Sequence, residues 1–132
     1  MDAAIRRAVW ERAGHRCEYC RLHQDHLPFT TFHIEHVIAR KHGGTGDLAN
    51  LALACDRCNA YKGSDLTGID RQTGEIVRLY SPRTQVWAEH FRFDGPAIVG
   101  RTLVGRVTAQ VLNMNAPPRL RLRARLLAND ET

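Results

Sequence analysis

The four cysteines of the chain stand in two Cys-x-x-Cys pairs, Cys17 with Cys20 and Cys55 with Cys58. One tight turn at this spacing directs two thiolates at the same ion, and two such turns complete the tetrahedral shell of a structural zinc. The alternative is a set of redox-active or unliganded thiols, but two close pairs in a reducing compartment favour a metal site. The spacing therefore predicts one zinc ion that pins both ends of the intervening segment.

That segment carries a second group of chemically able residues. It contains His33-Ile34-Glu35-His36 and Asn50, and Asn59 directly follows the second cysteine pair. A neutral imidazole, with a pKa of about 6.5, accepts a proton from water, and carboxylate or amide oxygens suit hard cations such as Mg²⁺ or Mn²⁺. Taken singly, these residues are better explained by a strand edge, a turn cap and a helix start. Their enclosure by the cysteine pairs is what indicates a site.

The order and spacing of these residues resemble the zinc-containing HNH endonucleases. The resemblance is carried by Cys17-x-x-Cys20, Ile34-Glu35-His36, Gly43-Gly44, Asn50-Leu51 and Cys55-x-x-Cys58-Asn59 with Lys62-Gly63. A softer resemblance to small stand-alone bacterial proteins of this type is carried by Thr73-Gly74, Pro82-Arg83 and Trp87-x-x-His90-Phe91. The sequence differs from the commonest pattern in having Glu35 where aspartate is usual, and Ala39 where proline often follows.

The resemblance implies an α+β fold. Its core would be a ββα-metal hairpin and helix stapled by the four-cysteine zinc site, with an N-terminal helix and a C-terminal extension of short strands and helices. It also implies a metal-dependent endonuclease that hydrolyses phosphodiester bonds of double-stranded DNA. In that enzyme His36 would be the general base, Glu35 and Asn59 would hold the catalytic Mg²⁺ or Mn²⁺, and Asn50 would brace the loop and orient His36. His33 would be either an extra ligand or, preferably, a surface residue.

A non-catalytic zinc-knuckle module that binds nucleic acid or protein is the rival interpretation. Such a module needs the cysteines and basic residues but has no use for Glu35 and His36 beside Asn59. Under either interpretation, the candidate contacts to nucleic acid are Arg40, Lys41, Arg57 and Lys62 near the site, and Arg119, Arg121, Arg123 and Arg125 near the C-terminus.

Composition indicates an ordinary globular protein. The 132 residues are 43% hydrophobic and 25% charged, which predicts one domain with a zinc core in residues 14–66 and an extension in residues 67–132. No stretch approaches the roughly 18 apolar residues of a membrane span, and Met1-Asp2-Ala3 lacks a signal pattern, so we expect a cytoplasmic protein.

The charge of the chain is uneven. The net charge is +5, and residues 101–132 hold six positive and two negative side chains. An anionic partner would explain this surplus. Arginines make up 17 of the 19 cations, which suits phosphate binding but is also typical of a GC-rich genome. Both explanations stay open.

Local patterns predict the elements that must position these residues. Helix formers between Asp2 and Gly14 predict a first helix, and Gly-rich residues 40–47 predict a surface loop. The predicted strands are residues 28–38, ending at or just past His36, then 75–80, and a hairpin of 91–93 with 97–99. The predicted helices are 59–62, a helix capped by Thr102 that runs to about Met114, and, from an ambiguous pattern, 119–128.

Overall fold

The structure is a computed structural model that describes residues 1–130. Residues 131 and 132, the last of the predicted extension, lie outside the described residues. The chain forms two compact units. The first unit comprises Met1–Leu66 together with Ser81–Gln85, and the second comprises Thr67–Tyr80 together with the chain from Val86 onward. The predicted organisation, one domain with a zinc core in residues 14–66 and an extension in residues 67–132, stays a prediction.

The first unit begins with helix α1, Ala3–Ala13. The Asp2 carboxylate accepts a hydrogen bond from the Ile5 amide at 2.9 Å, and Gly14 ends the helix in the left-handed region with φ 63°. Both ends agree with the prediction, because an N-terminal carboxylate and a C-terminal glycine satisfy backbone groups that the helix leaves unpaired. Val9, on the inward face of this helix, is fully buried.

A short hairpin and a helix form the centre of the first unit. Strand β1, His33–His36, pairs antiparallel with strand β2, Leu51–Ala54, so that Glu35 faces Ala52 and His36 faces Leu51. Helix α2, Asp56–Lys62, follows β2 directly, and Gly63 ends it with φ 51°. This arrangement confirms the predicted ββα core.

The predicted strand over residues 28–38 is wrong at its N-terminal end, because β1 is only four residues long. The Gln24 side chain forms hydrogen bonds with backbone groups that would otherwise be free to pair with a neighbouring strand. Its amide nitrogen donates to the Leu27 and Thr30 carbonyls at 3.0 and 2.9 Å, and its oxygen accepts from the Phe32 amide at 3.2 Å. The chain before His33 therefore folds into a turn.

The second unit contains two hairpins and three helices. Strand β3, Thr67–Ile69, pairs with β4, Ile76–Arg78, and β5, Phe91–Asp94, pairs with β6, Ala97–Gly100. The helices are α3, Trp87–His90, α4, Leu103–Val111, and α5, Pro117–Ala128. The hairpin of β5 and β6 was predicted, whereas β3 and α3 carry no sequence pattern strong enough to find them.

Capping residues set the ends of the last two helices. The Thr102 hydroxyl accepts from the Gly105 amide at 3.1 Å, as predicted for the start of α4. That helix ends at Val111, short of Met114, and Asn113 turns the chain into the left-handed region with φ 49°. Pro117 and Pro118 begin α5, where a missing amide hydrogen costs nothing. The ambiguous C-terminal pattern is therefore a helix.

Residues 1–130 thus form a mixed α and β fold with three two-stranded sheets and five α-helices. In that part of the chain, every helix is too short or too polar to cross a bilayer.

Candidate functional site

The four cysteines converge on one point. Their sulfur atoms all lie within 4.8 Å of one another, and all four residues are buried. The Sγ atoms of Cys20 and Cys55 are 3.8 Å apart. A tetrahedron with zinc to sulfur distances of about 2.3 Å has edges of about 3.8 Å, so these residues fit a structural zinc ion. Within residues 1–130 no other cluster of three or more histidine, cysteine or acidic side chains has metal-binding geometry.

The chemistry of this donor set also calls for a cation. Burial raises the pKa of the Cys17 thiol well above its usual value, because a thiolate is costly away from water. A divalent ion removes that cost by compensating the charge of the thiolates. Within each knuckle a backbone amide donates to a sulfur, Cys20 to Cys17 and Cys58 to Cys55, both at 3.4 Å.

Glu18, inside the first knuckle, attaches the metal site to the hairpin. Its amide donates to the Leu53 carbonyl at 2.8 Å, and one of its carboxylate oxygens accepts from the Leu53 amide at 2.8 Å. The other oxygen accepts from the guanidinium of Arg83 in the Ser81–Gln85 segment. These bonds fix the knuckle against β2.

His36 ends strand β1, and its Nε2 atom is buried without a hydrogen-bond partner within residues 1–130. A neutral imidazole nitrogen that no protein donor occupies is able to accept a proton. The sequence predicts His36 as the proton acceptor, and the ring nitrogen is available for that role. His33, on the same strand, is exposed, as expected for a surface residue.

Glu35 is buried between two protein donors that the sequence did not predict. Its side chain is 5% exposed, one oxygen accepts from the Tyr19 hydroxyl, and the other accepts from the Lys62 ammonium at 2.9 Å. Burial raises the pKa of Glu35, while the ion pair with Lys62 opposes that change. Each oxygen already accepts a hydrogen bond from a buried protein donor, which restricts the access of a hydrated cation to this carboxylate, and the predicted ligand role stays a prediction.

Lys62 is equally engaged. The residue is 2% exposed, and its ammonium donates to the Glu35 carboxylate, to the Val37 carbonyl at 3.0 Å and to the His36 carbonyl at 3.4 Å. An ammonium has three donors, and all three are used inside the protein. The ammonium therefore has no donor left for the predicted phosphate contact in this arrangement, and that contact stays a prediction.

Asn50 holds the Gly-rich loop together. Its side-chain oxygen accepts from the Ile38 amide at 2.9 Å, and its nitrogen donates to the carbonyls of Ile38 and Thr45 at 2.9 and 2.8 Å. Gly44 packs so closely here that a Cβ would overlap the Ile38 carbonyl oxygen. These contacts lie two residues from His36, where the sequence expects Asn50 to brace the loop.

The remaining residues of the predicted site lie on α2 and in the loop. Asn59 is half-buried, and its side chain makes no hydrogen bond within residues 1–130. Arg57 lies over the Tyr61 ring, 5.3 Å from its centre. Arg40 and Lys41 are exposed in a short 3-10 turn.

The C-terminal arginines divide into two pairs in the second unit. Arg119 and Arg123 are buried, and Arg123 donates to the carbonyls of Pro96 and Met114. Arg121 and Arg125 are exposed. Residues four apart share one helix face, so the inward face of α5 takes one pair and the opposite face takes the other. Burial opposes a phosphate-binding role for Arg119 and Arg123, which stays a prediction.

Sequence reasoning missed Tyr19, Glu18 and Arg83 as parts of the site. Tyr19 is fully buried and lies between Cys17 and Cys20 in the sequence, and nothing in a Cys-x-x-Cys pattern distinguishes its role from that of a spacer. Pro82-Arg83 belongs to the softer resemblance, which was the one available signal for Arg83.

Residues 17–65 match a family model described as HNH endonuclease. The match spans the four cysteines, Glu35, His36, Asn50 and Asn59. No curated protein and no solved structure matches the chain.

Proposed function

We propose that the protein is a metal-dependent endonuclease that hydrolyses phosphodiester bonds of double-stranded DNA, in keeping with the match of residues 17–65 to a family model described as HNH endonuclease. The observation that carries this proposal is the buried, unpartnered Nε2 of His36 at the end of a hairpin fixed by four cysteines. A module that binds nucleic acid without cutting it has no need for such an atom.

Phosphodiester hydrolysis requires a deprotonated water and compensation of the charge that develops on phosphoryl and leaving oxygens. In this proposal Nε2 of His36 takes the proton from the attacking water. A bound Mg²⁺ or Mn²⁺ would supply the charge compensation, and Asn59 would hold it through its side-chain oxygen. The unpartnered Asn59 amide is compatible with that role.

The zinc ion has a separate, mechanical role in this proposal. Cys55 is the N-cap of α2 and Cys58 lies within it, so the metal would fix the helix that carries Asn59. Asn50 fixes the loop that leaves β1 after His36. The zinc site and Asn50 together would hold His36 and the Asn59 side chain in place without taking part in the reaction.

Exposed arginine and lysine side chains supply sequence-independent affinity for the phosphate backbone. Arg40 and Lys41 would contribute in the first unit, and Arg121 and Arg125 in the second. Contacts of this kind weaken steeply as salt is added.

Incubation with supercoiled plasmid tests the proposal, in Mg²⁺, in Mn²⁺ and without added metal. We expect nicked or linear product with a divalent cation, and its loss in His36→Ala. His33→Ala is the matched control, because His33 lies exposed on the same strand. Zinc content is measured in each sample, so that a variant that has lost its zinc is not mistaken for a folded variant that has lost only catalysis.

Two outcomes would overturn this assignment. DNA binding without cleavage in every metal would establish the rival zinc-knuckle module. Cleavage by His36→Ala at the wild-type rate would remove His36 as the proton acceptor.

A further inference from the structure

We infer that Tyr19, Glu35 and Lys62 form a buried anchor network that positions His36, and that Glu35 serves this network instead of binding the catalytic cation. The inference rests on the proposed nuclease function for its catalytic consequence. Its structural part stands on hydrogen bonds within the first unit alone.

The first argument is the occupancy of the Glu35 carboxylate. Tyr19 donates to one oxygen and Lys62 donates to the other, and all three side chains are almost fully buried. Mg²⁺ and Mn²⁺ bind near-octahedrally and keep several waters, so a carboxylate that binds them has to be reachable by a hydrated ion. A side chain that is 5% exposed and hydrogen-bonded at both oxygens offers little such access, and a cation here would stand beside the buried positive charge of Lys62.

The second argument is the place where Lys62 acts. Strand pairing ends where His36 faces Leu51, and the next backbone bond runs from the Val37 amide to the Asn50 carbonyl at 2.8 Å. Beyond that point the carbonyls of His36 and Val37 have no strand partner, and the Lys62 ammonium binds both. Lys62 therefore sets the backbone direction from which the His36 ring projects.

The third argument links the base to the helix. Lys62 and Asn59 are three residues apart in α2, so both side chains share one side of the helix. The bonds that Lys62 makes to β1 thus fix the position of Asn59, on α2, relative to His36 at the end of β1. Displacements of about 1 Å in such a pair cost about 10²-fold in rate.

Direct Mn²⁺ binding distinguishes an anchor from a ligand. In a His36→Ala background, which keeps DNA intact, free Mn²⁺ is followed by electron paramagnetic resonance in the presence of a short duplex. We expect Glu35→Gln to leave Mn²⁺ affinity unchanged and Asn59→Ala to weaken it by about tenfold or more. A tenfold loss in Glu35→Gln would overturn the inference.

Hydrogen exchange tests positioning independently of cleavage. We expect Lys62→Met to accelerate exchange of the Val37 and Ile38 amides and to leave the Val9 amide in α1 unchanged. Because one uncompensated buried charge can unfold the unit, the double variant Glu35→Gln with Lys62→Met is measured beside it, with zinc content as the folding control. Wild-type exchange at Val37 in the folded double variant would overturn the positioning role.

The kinetic signature separates this inference from the proposed function. We expect the folded double variant to lose about 10²-fold in kcat with little change in KM for DNA. Failure of the wild-type protein to cleave DNA would overturn the nuclease proposal and leave the exchange and Mn²⁺ results to decide on the anchor network. Unchanged kcat in the double variant would overturn the anchor network and leave the nuclease proposal intact.

Discussion

A buried carboxylate is paired with a cation in each unit, Glu35 with Lys62 in the first and Asp70 with Arg106 in the second, and these two pairs behave differently. In the first unit both partners are buried, with Lys62 2% and Glu35 5% exposed. In the second unit Asp70 is 2% exposed but Arg106 is 39% exposed. Burial raises the pKa of Glu35, whereas hydrogen bonds from Arg106 hold the pKa of Asp70 well below its usual range.

The difference shows how much each unit has to offset for removing charged groups from water. Removing both charges of a pair from water costs more than removing one, so the first unit carries an expensive polar interior. We expect a metal held by the four cysteines to offset this cost. The second unit also buries charged side chains, Arg119 and Arg123, in a core where Trp87 stacks on Phe91 at 5.1 Å and Ile98, Val107 and Leu112 are buried. The Glu35–Lys62 pair, with both partners buried, lies in the unit where the proposed chemistry takes place.

Zinc removal should therefore act on the two units unequally, and it is the largest effect we expect. A structural zinc supplies on the order of 10 kcal/mol of folding free energy, so chelation should unfold the first unit and spare the second. Trp10 lies in the first unit and Trp87 in the second, so Trp87→Phe and Trp10→Phe give separate fluorescence reporters. Retention of the native Trp10 signal after complete zinc release would contradict this prediction.

Breaking the two ion pairs should give the next largest difference. Lys62→Met leaves a buried carboxylate without its cation and should cost about 3–5 kcal/mol in free energy of unfolding. Arg106→Gln should lower the free energy of unfolding clearly less, because Arg106 is partly exposed and water can take over part of its hydrogen bonding to Asp70. Urea unfolding of both variants measures the difference, and equal losses would show that burial of the cation does not matter.

A matched pair of glycine substitutions separates stability from the site. A Cβ on Gly44 would overlap the Ile38 carbonyl, and one on Gly105 would overlap the His90 carbonyl. Each alanine variant should lose about 1–3 kcal/mol, because the backbone has to shift. Gly44→Ala alone should also lower DNA cleavage, since the shift is two residues from His36. Equal cleavage by both variants would show that the loop does not position the site.

Acid should weaken the second unit through Asp70. Its pKa is lowered in the folded state, so the unfolded chain binds the proton more readily, and the stabilisation is present above the usual value of 3.8. It is lost as the pH falls from that value through the lower folded-state pKa. Near-ultraviolet circular dichroism of Trp87 should show acid unfolding in the wild-type protein, and Asp70→Asn should be less stable at neutral pH with a flatter pH dependence.

The smallest effect should come from the exposed arginines of α5. If both Arg121 and Arg125 contact phosphates, replacing both by alanine should reduce the salt dependence of DNA binding by about two phosphate contacts, with unchanged stability. Arg123→Ala should instead lower stability and leave the salt dependence unchanged. An unchanged salt slope in the Arg121 and Arg125 variant would remove α5 from the DNA-binding surface.

The metal site and the hairpin core could be predicted because their signals are local. Cys-x-x-Cys spacing determines the geometry of each knuckle, and Asp2 and Gly14 mark the ends of α1 within a few residues. The bond between Lys62 and Glu35 joins residues 27 positions apart, so no local pattern contains it.

The same reason explains the other differences. Gly68 weakens the strand pattern of β3 in the sequence. A glycine is needed there because β3 packs closely against α4, where a Cβ would lie 2.6 Å from a methyl group of Val111. The shortening of β1 depends on one glutamine side chain nine residues upstream of the strand. Which arginines of α5 face inward depends on what the helix packs against.

The bonds between Glu18 and Leu53 have a consequence for association between molecules. Strand β2 pairs with β1 on one edge, and Glu18 satisfies both the amide and the carbonyl of Leu53 away from that partner. Arg12 donates to the Leu51 carbonyl at 2.6 Å, which is two residues away and points to the same side. An open strand edge is a template for pairing with another chain, and these two side chains cover it. The hairpin that carries His36 is thereby protected from extension by a foreign strand at this edge.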